Sequence, residues 1–156
     1  MILYHGSKVI VQHPDIHHSH AYLDLGKGFY VTSLYEQANR WCDRFKRNGY
    51  NAFVSMYDFD EKAMHELKIL SFDSYSEAWL DFIGQCRQGK DLSDYDIVMG
   101  GIANDKVFNT KELYFDGLID KREALGRLRV EKPNNQYCFR TEDSLRYLSF
   151  KEYQSL

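Results

Sequence analysis

Cysteine, proline and long hydrophobic runs are all scarce in this sequence of 156 residues. Its three cysteines lie far apart and include no C-x-x-C pair, which argues against a disulfide framework or a zinc knuckle and suits a reducing compartment. No apolar segment approaches the roughly 18 residues that a membrane-spanning helix needs. The first residues, MILYHGSKVIVQHP, lack the basic and apolar regions of a signal peptide. We therefore expect a cytoplasmic protein without a membrane partner.

Charge of one sign is also lacking, whereas aromatic residues are plentiful. The formal net charge of -3 gives no general attraction to nucleic acid or anionic membranes, although a local basic groove stays open. The 12 Tyr, 10 Phe and 2 Trp fill a core and also offer surfaces on which flat ligands stack. Because no repeat, low-complexity tract or linker divides the chain, we predict one domain over residues 1–156.

Six segments have the alternation or the β-branched and aromatic content of strands: MILYHGS, GFYVT, AFVSMYDF, LKILSF, DYDIVMGGIA and NQYCFRT. Residues 9–23, with Pro14 and four nearby histidines, are predicted to form a loop. Residues 111–129 are predicted to be helical, with apolar Leu118, Leu125 and Leu128, and TEDSLRYLSF to begin a short closing helix. This irregular order of strands and helices predicts an α+β fold around a mixed or split β-sheet with surrounding helices.

Two S-x-x-E capping boxes mark the starts of two further predicted helices. Ser33 with Glu36 opens a helix that runs through Phe45. The inward face of this helix is predicted to carry Ala38, Trp41, Cys42 and Phe45. Ser74 with Glu77 opens the other helix. Its inward residues are predicted to be Ala78, Trp79, Phe82 and Ile83.

The tetrapeptide YHGS closes the first predicted strand. Gly6 has no Cβ, so a ligand could approach the backbone there and pair a planar amide with the glycine N–H and C=O. His5 could then donate to a hydroxyl group of the same ligand. An ordinary strand-terminal turn with an incidental histidine explains these residues as well.

The stretch DLGKGFYVT, residues 24–32, is glycine-rich but does not have the spacing of a P-loop. A strand-like run follows it, so it is not a G-x-G-x-x-G turn that opens a helix either. The glycines allow the chain to turn and to bring Tyr30 to the wall of a cleft, although a core tyrosine is equally compatible. Trp41 is either a core residue or the second face of an aromatic sandwich around a flat, cationic ring.

Other polar and reactive residues carry weaker signals. Four histidines of the predicted loop lack a carboxylate or Cys at metal-site spacing, and we expect them to titrate in solvent rather than bind a metal: His13, His17, His18 and His20. Three polar residues flank YDIVMGG and are either catalytic or turn and cap residues: Asp96, Asn104 and Asp105. The cysteines Cys42, Cys86 and Cys138 have no convincing His partner, and no Ser lies in a nucleophile-elbow pattern.

The order of these features resembles the ADP-ribosyltransferase superfamily, in the branch whose active site is summarised as His, Tyr, Glu. That branch includes the poly-ADP-ribose polymerases and the diphtheria-toxin-like enzymes. The likeness rests on YHGS, on D-x-GKGFYVT followed by QANRW, and on QYCFRTEDSLRYLSF. With SFDSYSEAWLDFI and YDIVMGGIANDKVF added, nearly the whole chain resembles a bacterial family of uncharacterised domains assigned to that superfamily. The resemblance implies the split, mixed sheet of that superfamily.

The resemblance also implies that NAD binds in an open cleft as a substrate, without a metal. Gly6 would grip the nicotinamide, while His5 would hydrogen-bond the adenosine-side ribose with Ser7 beside it. Tyr30 would stack on the nicotinamide ring, and Trp41 matches the position of the second stacking aromatic. The implied NAD-binding set is His5, Gly6, Ser7, Gly28, Tyr30 and Trp41.

The sequence departs from the superfamily pattern at Gln136, where the late strand usually carries Glu. Gln keeps a hydrogen bond to a ribose hydroxyl but lacks the negative charge that opposes an oxocarbenium-like transition state. One such electrostatic contact is worth about two or three decades in rate. Either the chemistry is slower, or another acid such as Asp105 supplies the charge, or the protein binds NAD without transferring it. The implied catalytic set is His5, Tyr30, Gln136 and Asp105.

We therefore expect an NAD-dependent mono-ADP-ribosyltransferase. The resemblance implies a toxin-like bacterial effector that modifies a protein or nucleic-acid acceptor and is held in check by an antitoxin or inhibitor protein. Two alternatives stay open. One is a module that binds NAD or ADP-ribose without catalysis, and the other is an NAD glycohydrolase, in which water replaces the acceptor.

Overall fold

Seven strands form one mixed sheet in the computed structural model, which describes residues 1–19, 23–101, 105–131 and 136–156. Within those ranges the strands are β1 (Ile2–Ser7), β2 (Phe29–Thr32), β3 (Phe53–Phe59), β4 (Ile69–Ser71), β5 (Ile97–Gly100), β6 (Gln136–Phe139) and β7 (Leu148–Ser155). Their order across the sheet is β4-β5-β6-β2-β1-β3-β7. β4 and β5 pair in parallel, and the other neighbouring pairs are antiparallel.

Helices of the described residues cover both faces of this sheet. They are α1 (Tyr35–Arg47), α2 (Ala63–Glu66), α3 (Glu77–Arg87), α4 (Asp105–Phe115), α5 (Lys121–Leu128) and α6 (Glu142–Leu145). The strands and helices do not alternate as βαβ units, and the predicted α+β fold with a mixed sheet is confirmed.

Successive residues of a strand point to opposite faces of the sheet, so each face has its own apolar core. On the face that we call the α1 face, Ala38 and Cys42 of α1 pack with Val54 of β3. The same face carries Val98 and Cys138 farther along the sheet, where they pack near α3. The core of the opposite face contains Leu3, Phe29, Tyr57, Phe139 and Ala63.

Neither predicted capping box forms. The N-cap residue of α1 is Leu34, which makes no side-chain cap, and its N–H donates to the Thr32 hydroxyl at 3.1 Å. The N-cap of α3 is Ser76, whose hydroxyl accepts from Trp79 N at 3.2 Å. Both helices therefore begin later than the S-x-x-E patterns predict, at Tyr35 for α1 and at Glu77 for α3.

The buried faces of α1 and α3 also differ from the prediction. Trp41 was predicted to point inward, but it is 55% exposed, about one helical step of 100° away from buried Cys42. In α3, Ala78 is exposed, whereas Leu80 and Cys86 are buried. Periodicity identified each helix correctly and placed the edge of its apolar stripe wrongly.

The predicted helix over residues 111–129 is wrong, because the chain breaks it in the middle. Gly117 has a φ of +77°, a left-handed conformation that favours glycine and ends a helix. Leu118, predicted to be an apolar helix residue, follows it and is 70% exposed. α5 then starts afresh, with the Asp120 carboxylate accepting from Glu123 N at 2.8 Å.

The closing segment forms a strand as well as the short predicted helix. After α6, β7 pairs with β3 from Leu148, opposite Phe59, to Ser155, opposite Phe53. Leu148 is the one buried residue of β7, and most of the others are exposed. An edge strand of this kind has no apolar alternation, so hydrophobic periodicity gave no signal for it.

Candidate active site

The sheet is nearly open between β1 and β2. These neighbours share one paired position, Tyr4 with Thr32, whereas β1 pairs with β3 along its whole length. A further hydrogen bond between β1 and β2 uses a side chain, because His5 Nδ1 lies 2.7 Å from Tyr30 O. The structure thus brings the His5 side chain to the Tyr30 backbone at the point where the two strands separate, while the imidazole and the Tyr30 ring lie on opposite faces of the sheet.

The protonation state of His5 follows from this contact. A backbone carbonyl only accepts hydrogen bonds, so Nδ1 carries the proton and donates to Tyr30 O. Burial lowers the pKa of His5, and the bond to Tyr30 works against that effect. The imidazole is therefore neutral at pH 7, and its Nε2 is an acceptor rather than the predicted donor to a hydroxyl. The ring is held against Phe29, with the ring centroids 4.5 Å apart.

The backbone of Gly6 is directed toward the same opening. Phe59 N donates to Met1 O at 2.9 Å. This bond shows that Met1 and every second residue after it exchange hydrogen bonds with β3. Because bonded positions alternate along an antiparallel strand, Tyr4 and Gly6 direct their N–H and C=O groups toward β2. Tyr4 meets Thr32 there, and Gly6 lies two residues beyond that pair. A planar carboxamide is the kind of group that an adjacent N–H and C=O bind.

The missing side chain of Gly6 is explained by packing rather than by a ligand. A Cβ on Gly6 would lie 2.5 Å from Ala38 O and 2.8 Å from Cys42 Sγ. Gly6 therefore allows α1 to press directly on β1. This contact seats α1 against β1 on the face of the sheet that carries Gly6.

Tyr30 lies on the α1 face, the same face as Gly6, since both are two residues from the Tyr4–Thr32 pair. Its hydroxyl donates to Gly26 O and accepts from Leu25 N at 3.2 Å. Burial raises the pKa of the Tyr30 phenol, so it stays protonated. The ring is half-buried, and its far end is fixed by the loop before β2, so Tyr30 is a rigid wall rather than a mobile side chain.

Trp41 is a surface residue of α1, and its exposure excludes the core alternative. The guanidinium carbon of Arg44 lies 4.3 Å from the centroid of a Trp41 ring, so one part of the indole is already covered by a cation. Among the described residues, the partner that the structure shows for the Trp41 ring is Arg44 and not Tyr30. The predicted aromatic sandwich would therefore have to be completed by a ligand.

Gln136 lies near Tyr30 on the α1 face. It is paired with Thr32 on one side and with Gly100 on the other, and it is half-buried. Its neighbour two residues on, Cys138, is the partner of Tyr30. Gln136 also lines a depression of about 230 Å³ at the end of the sheet, together with Ser71, Phe72, Asp73, Met99, Gly100 and Tyr137. The Gln136 side chain is therefore accessible to a ligand that lies in this depression.

Two other predicted NAD-binding residues have structural roles. A Cβ on Gly28 would lie 2.4 Å from Phe139 O and 2.7 Å from Cys138 Sγ, so this glycine lets the loop approach β6. The Gly28 N–H donates to Ser19 Oγ at 2.9 Å. Ser7 ends β1, and its hydroxyl accepts from Val9 N at 3.4 Å. Contact of either residue with NAD stays a prediction.

Of the three polar residues around β5, Asp96 is the one whose side-chain contacts the structure describes. Asp96 has a structural role, because its two carboxylate oxygens accept from Lys68 N at 2.9 Å and from Thr141 Oγ1 at 2.8 Å. Asp105 is the first residue of α4, but its side chain lies outside the described part of the chain, as does the whole of Asn104. The predicted catalytic role of Asp105 stays a prediction.

The histidines of the first long loop make local contacts. His18 Nδ1 lies 2.7 Å from a carboxylate oxygen of Asp15, and His17 Nε2 lies 3.2 Å from Glu142. His20 lies outside the described residues. Among residues 1–19, 23–101, 105–131 and 136–156, no group of three or more His, Cys, Asp or Glu side chains is arranged to hold a metal ion.

Two features near the site were not predicted. Lys111 of α4 is 4% exposed and pairs with Asp24, which joins α4 to the loop that holds Tyr30. Asp73 lines the depression beside Gln136, just after β4. The parallel strands β4 and β5 end side by side at this depression, and polar residues at such ends are the signal that would have identified Asp73.

A larger groove of about 600 Å³ lies elsewhere, between α3 and the segment that joins α4 to α5. It is lined by Leu80, Asp81, Gly84, Gln85, Gln88, Tyr114, Phe115, Gly117 and Ile119. None of the predicted site residues is among them. The predicted site residues thus lie away from this groove.

Residues 1–150 match the model of the family described as Protein of unknown function (DUF3990), and the chain belongs to that family. No curated protein and no solved structure matches the chain. Within the described residues, no helix has the length and apolar character needed to cross a bilayer.

Proposed function

We propose that this member of the DUF3990 family is an NAD-dependent mono-ADP-ribosyltransferase. The observation that carries the proposal is the arrangement at the opening between β1 and β2. There Gly6 directs its backbone toward β2, Tyr30 stands on the same face, and neutral His5 joins the two strands. The resemblance to the ADP-ribosyltransferase superfamily gives each of these residues a role that its geometry allows.

In this proposal the carboxamide of nicotinamide pairs with the N–H and C=O of Gly6. Its ring stacks on Tyr30, whose anchored hydroxyl keeps the phenol ring in place. Trp41, with its exposed indole on α1, covers the other side of the ring. Aromatic faces attract a cationic ring, so the positively charged nicotinamide of NAD is bound more tightly than a neutral ring of the same shape.

His5 binds the adenosine-side ribose through Nε2, which accepts a hydrogen bond from a ribose hydroxyl. The proton on Nδ1 is held by Tyr30 O, so the tautomer is set before the ligand arrives. Binding then needs no proton transfer. The same bond keeps the carbonyl of Tyr30 directed toward β1 and fixes the strand that carries the stacking ring.

Chemistry begins with cleavage of the bond between nicotinamide and C1′ of its ribose, whose electron pair leaves with neutral nicotinamide. The resulting oxocarbenium-like centre is attacked by a nucleophilic atom of the acceptor. Gln136 holds a ribose hydroxyl through its amide oxygen, since it lies on the same face as Tyr30. A role as a toxin-like bacterial effector restrained by an inhibitor protein is part of the proposal and is supported by the resemblance alone.

The experiment is incubation of the purified protein with NAD and a cell extract, followed by measurement of free nicotinamide and of ADP-ribosylated macromolecules. We expect both products from the wild type and neither from Tyr30→Ala. Phe45→Leu, a change on the sheet-facing side of α1, is a control for general disturbance of this region. No turnover by the wild type under any condition, together with NAD binding that Tyr30→Ala and His5→Ala leave unchanged, would contradict the proposal.

A second function, binding of NAD or ADP-ribose without catalysis, is favoured by one observation, the uncharged Gln136. It predicts NAD binding by calorimetry without nicotinamide release, and gain of release in Gln136→Glu. An NAD glycohydrolase is distinguished by its product, because it yields free ADP-ribose rather than a modified macromolecule.

A further inference from the structure

We infer that Asp73 is the anionic residue of this site and accepts the proton of the acceptor group during transfer. The inference rests on the proposed function and identifies a carboxylate that Gln136 does not supply. It starts from the depression of about 230 Å³ that Gln136 shares with Asp73. Among the described residues that line this depression, Asp73 is the one with a carboxyl side chain.

The ends of β4 and β5 place Asp73 at this depression. Phe72 N donates to Met99 O at 2.9 Å, which extends the parallel pairing of β4 and β5 to their carboxyl ends. Asp73 is the next residue, and it is exposed where the two strands stop. Gly100 ends β5 between Asp73 and Gln136, and it has no side chain to separate them.

Asp73 is also free to act. Within the described part of the chain, the structure gives its carboxylate no ion pair and no hydrogen-bond partner. By contrast, nearby Asp96 has both carboxylate oxygens occupied by structural hydrogen bonds. An unpaired carboxylate beside a ribose-binding amide is suited to oppose a cationic transition state and to act as a general base.

Transfer of ADP-ribose breaks one bond of NAD and forms one bond to the acceptor. The bond between C1′ and the nicotinamide nitrogen breaks, and its electron pair leaves with nicotinamide. An O–H or N–H group of the acceptor forms the new bond to C1′, and its proton passes to the Asp73 carboxylate and then to solvent. Gln136 holds the ribose through its amide, which stays uncharged throughout the step.

The test compares nicotinamide release and NAD affinity in five variants of the full chain. Asp73→Asn is expected to lower the turnover number at least about 100-fold while the NAD dissociation constant stays unchanged. Asp58→Asn, an exposed carboxylate on β3 away from the depression, is the matched control and is expected to turn over like the wild type. Asp73→Asn combined with Gln136→Glu is expected to recover activity, because it returns a carboxylate to the same depression.

Each result decides a separate point. If the wild type releases no nicotinamide, the proposed function fails and the role of Asp73 fails with it. If the wild type is active and Asp73→Asn matches Asp58→Asn, the role of Asp73 alone is wrong. Loss of activity in Asp105→Asn, the fourth variant, with Asp73→Asn fully active would assign the charge to the start of α4 instead. Thermal melts of all variants show whether a lost activity reflects unfolding, and Asp73→Glu, which keeps the charge, is expected to retain more activity than Asp73→Asn.

Discussion

Replacing Gly6 with Ala tests how the candidate site is held together. The added Cβ would lie 2.5 Å from Ala38 O and 2.8 Å from Cys42 Sγ, both shorter than any ordinary contact. The first contact is with backbone, so a change of rotamer cannot relieve it. β1 and α1 must therefore separate by several tenths of an ångström along a buried interface.

Overpacking of this kind costs about 1–3 kcal/mol of unfolding free energy. For a chain of this size, each kcal/mol corresponds to a shift of roughly 2–4 °C in Tm. Gly6→Ala should therefore lower Tm by roughly 2–12 °C, and it should weaken NAD binding because it moves α1 away from the opening. Calorimetric or circular-dichroism melts measure the first effect directly.

Gly126→Ala is the matched control. Gly126 lies inside α5, and a Cβ there would meet nothing within 4 Å. Alanine is the better helix former by about 1 kcal/mol, so this change should leave Tm unchanged or raise it slightly. A Gly6→Ala protein as stable as the wild type, or a Gly126→Ala protein that loses as much as Gly6→Ala, would refute the packing argument.

Three other outcomes follow from the same structure. Asp24→Asn leaves the Lys111 ammonium buried without its carboxylate and should reduce the unfolding free energy by about 3 kcal/mol in denaturant titrations, whereas an unchanged midpoint would show that the pair is not formed. The pKa of His5 in the folded protein lies below its ordinary value of 6.5. As the pH falls, the imidazole of the unfolded chain is therefore protonated before that of the folded protein, and the unfolding free energy should decrease below about pH 6.5. His5→Gln should flatten that part of the pH profile, and an identical profile would contradict the assignment. Burial raises the pKa of Cys86 and of Cys138 to about 12, so neither thiol should react with a disulfide reagent until the protein unfolds, and rapid reaction in the native state would contradict their burial.

Patterns local to the chain predicted the strands well. GFYVT, AFVSMYDF and NQYCFRT each contain the strand that the structure shows, because β-branched and aromatic residues fit a half-buried pleated surface. The pairing of these strands is set by contacts distant in sequence, and no local pattern reports it. The opening between β1 and β2 depends on such a distant contact, the single Tyr4–Thr32 pair, and could not be predicted from the sequence.

The glycines Gly6 and Gly28 mark positions where a side chain does not fit, but the sequence does not tell what occupies the space. Gly6 and Gly28 were noticed because they flank possible ligand-binding residues. In the structure both positions are limited by neighbouring protein atoms, a helix carbonyl for Gly6 and a strand carbonyl for Gly28. A close approach of two backbones and a close approach of a ligand demand the same residue, so sequence alone cannot separate them.

The positions of Trp41 and Asp73 both depend on packing that local sequence patterns do not report. Helical periodicity placed Trp41 on the apolar face, but a residue at the edge of that face can be turned outward by the neighbour that packs, here Cys42. Asp73 follows the predicted strand LKILSF, and its residue type alone gives no sign of a site. Its place beside Gln136 arises because β4 and β6 lie on either side of β5, which the sequence does not reveal.

The central claim is that NAD binds between Tyr30 and Trp41, and the fluorescence of the two tryptophans tests it most directly. Trp41 is 55% exposed and Trp79 is 1% exposed, so a ligand that stacks on the surface indole should quench Trp41 and leave Trp79 unaffected. We expect saturable quenching by NAD in the wild type and none in Trp41→Phe, with affinity weakened in Tyr30→Ala. Absence of saturable quenching in the wild type, or equal quenching in Trp41→Phe, would contradict the proposed site.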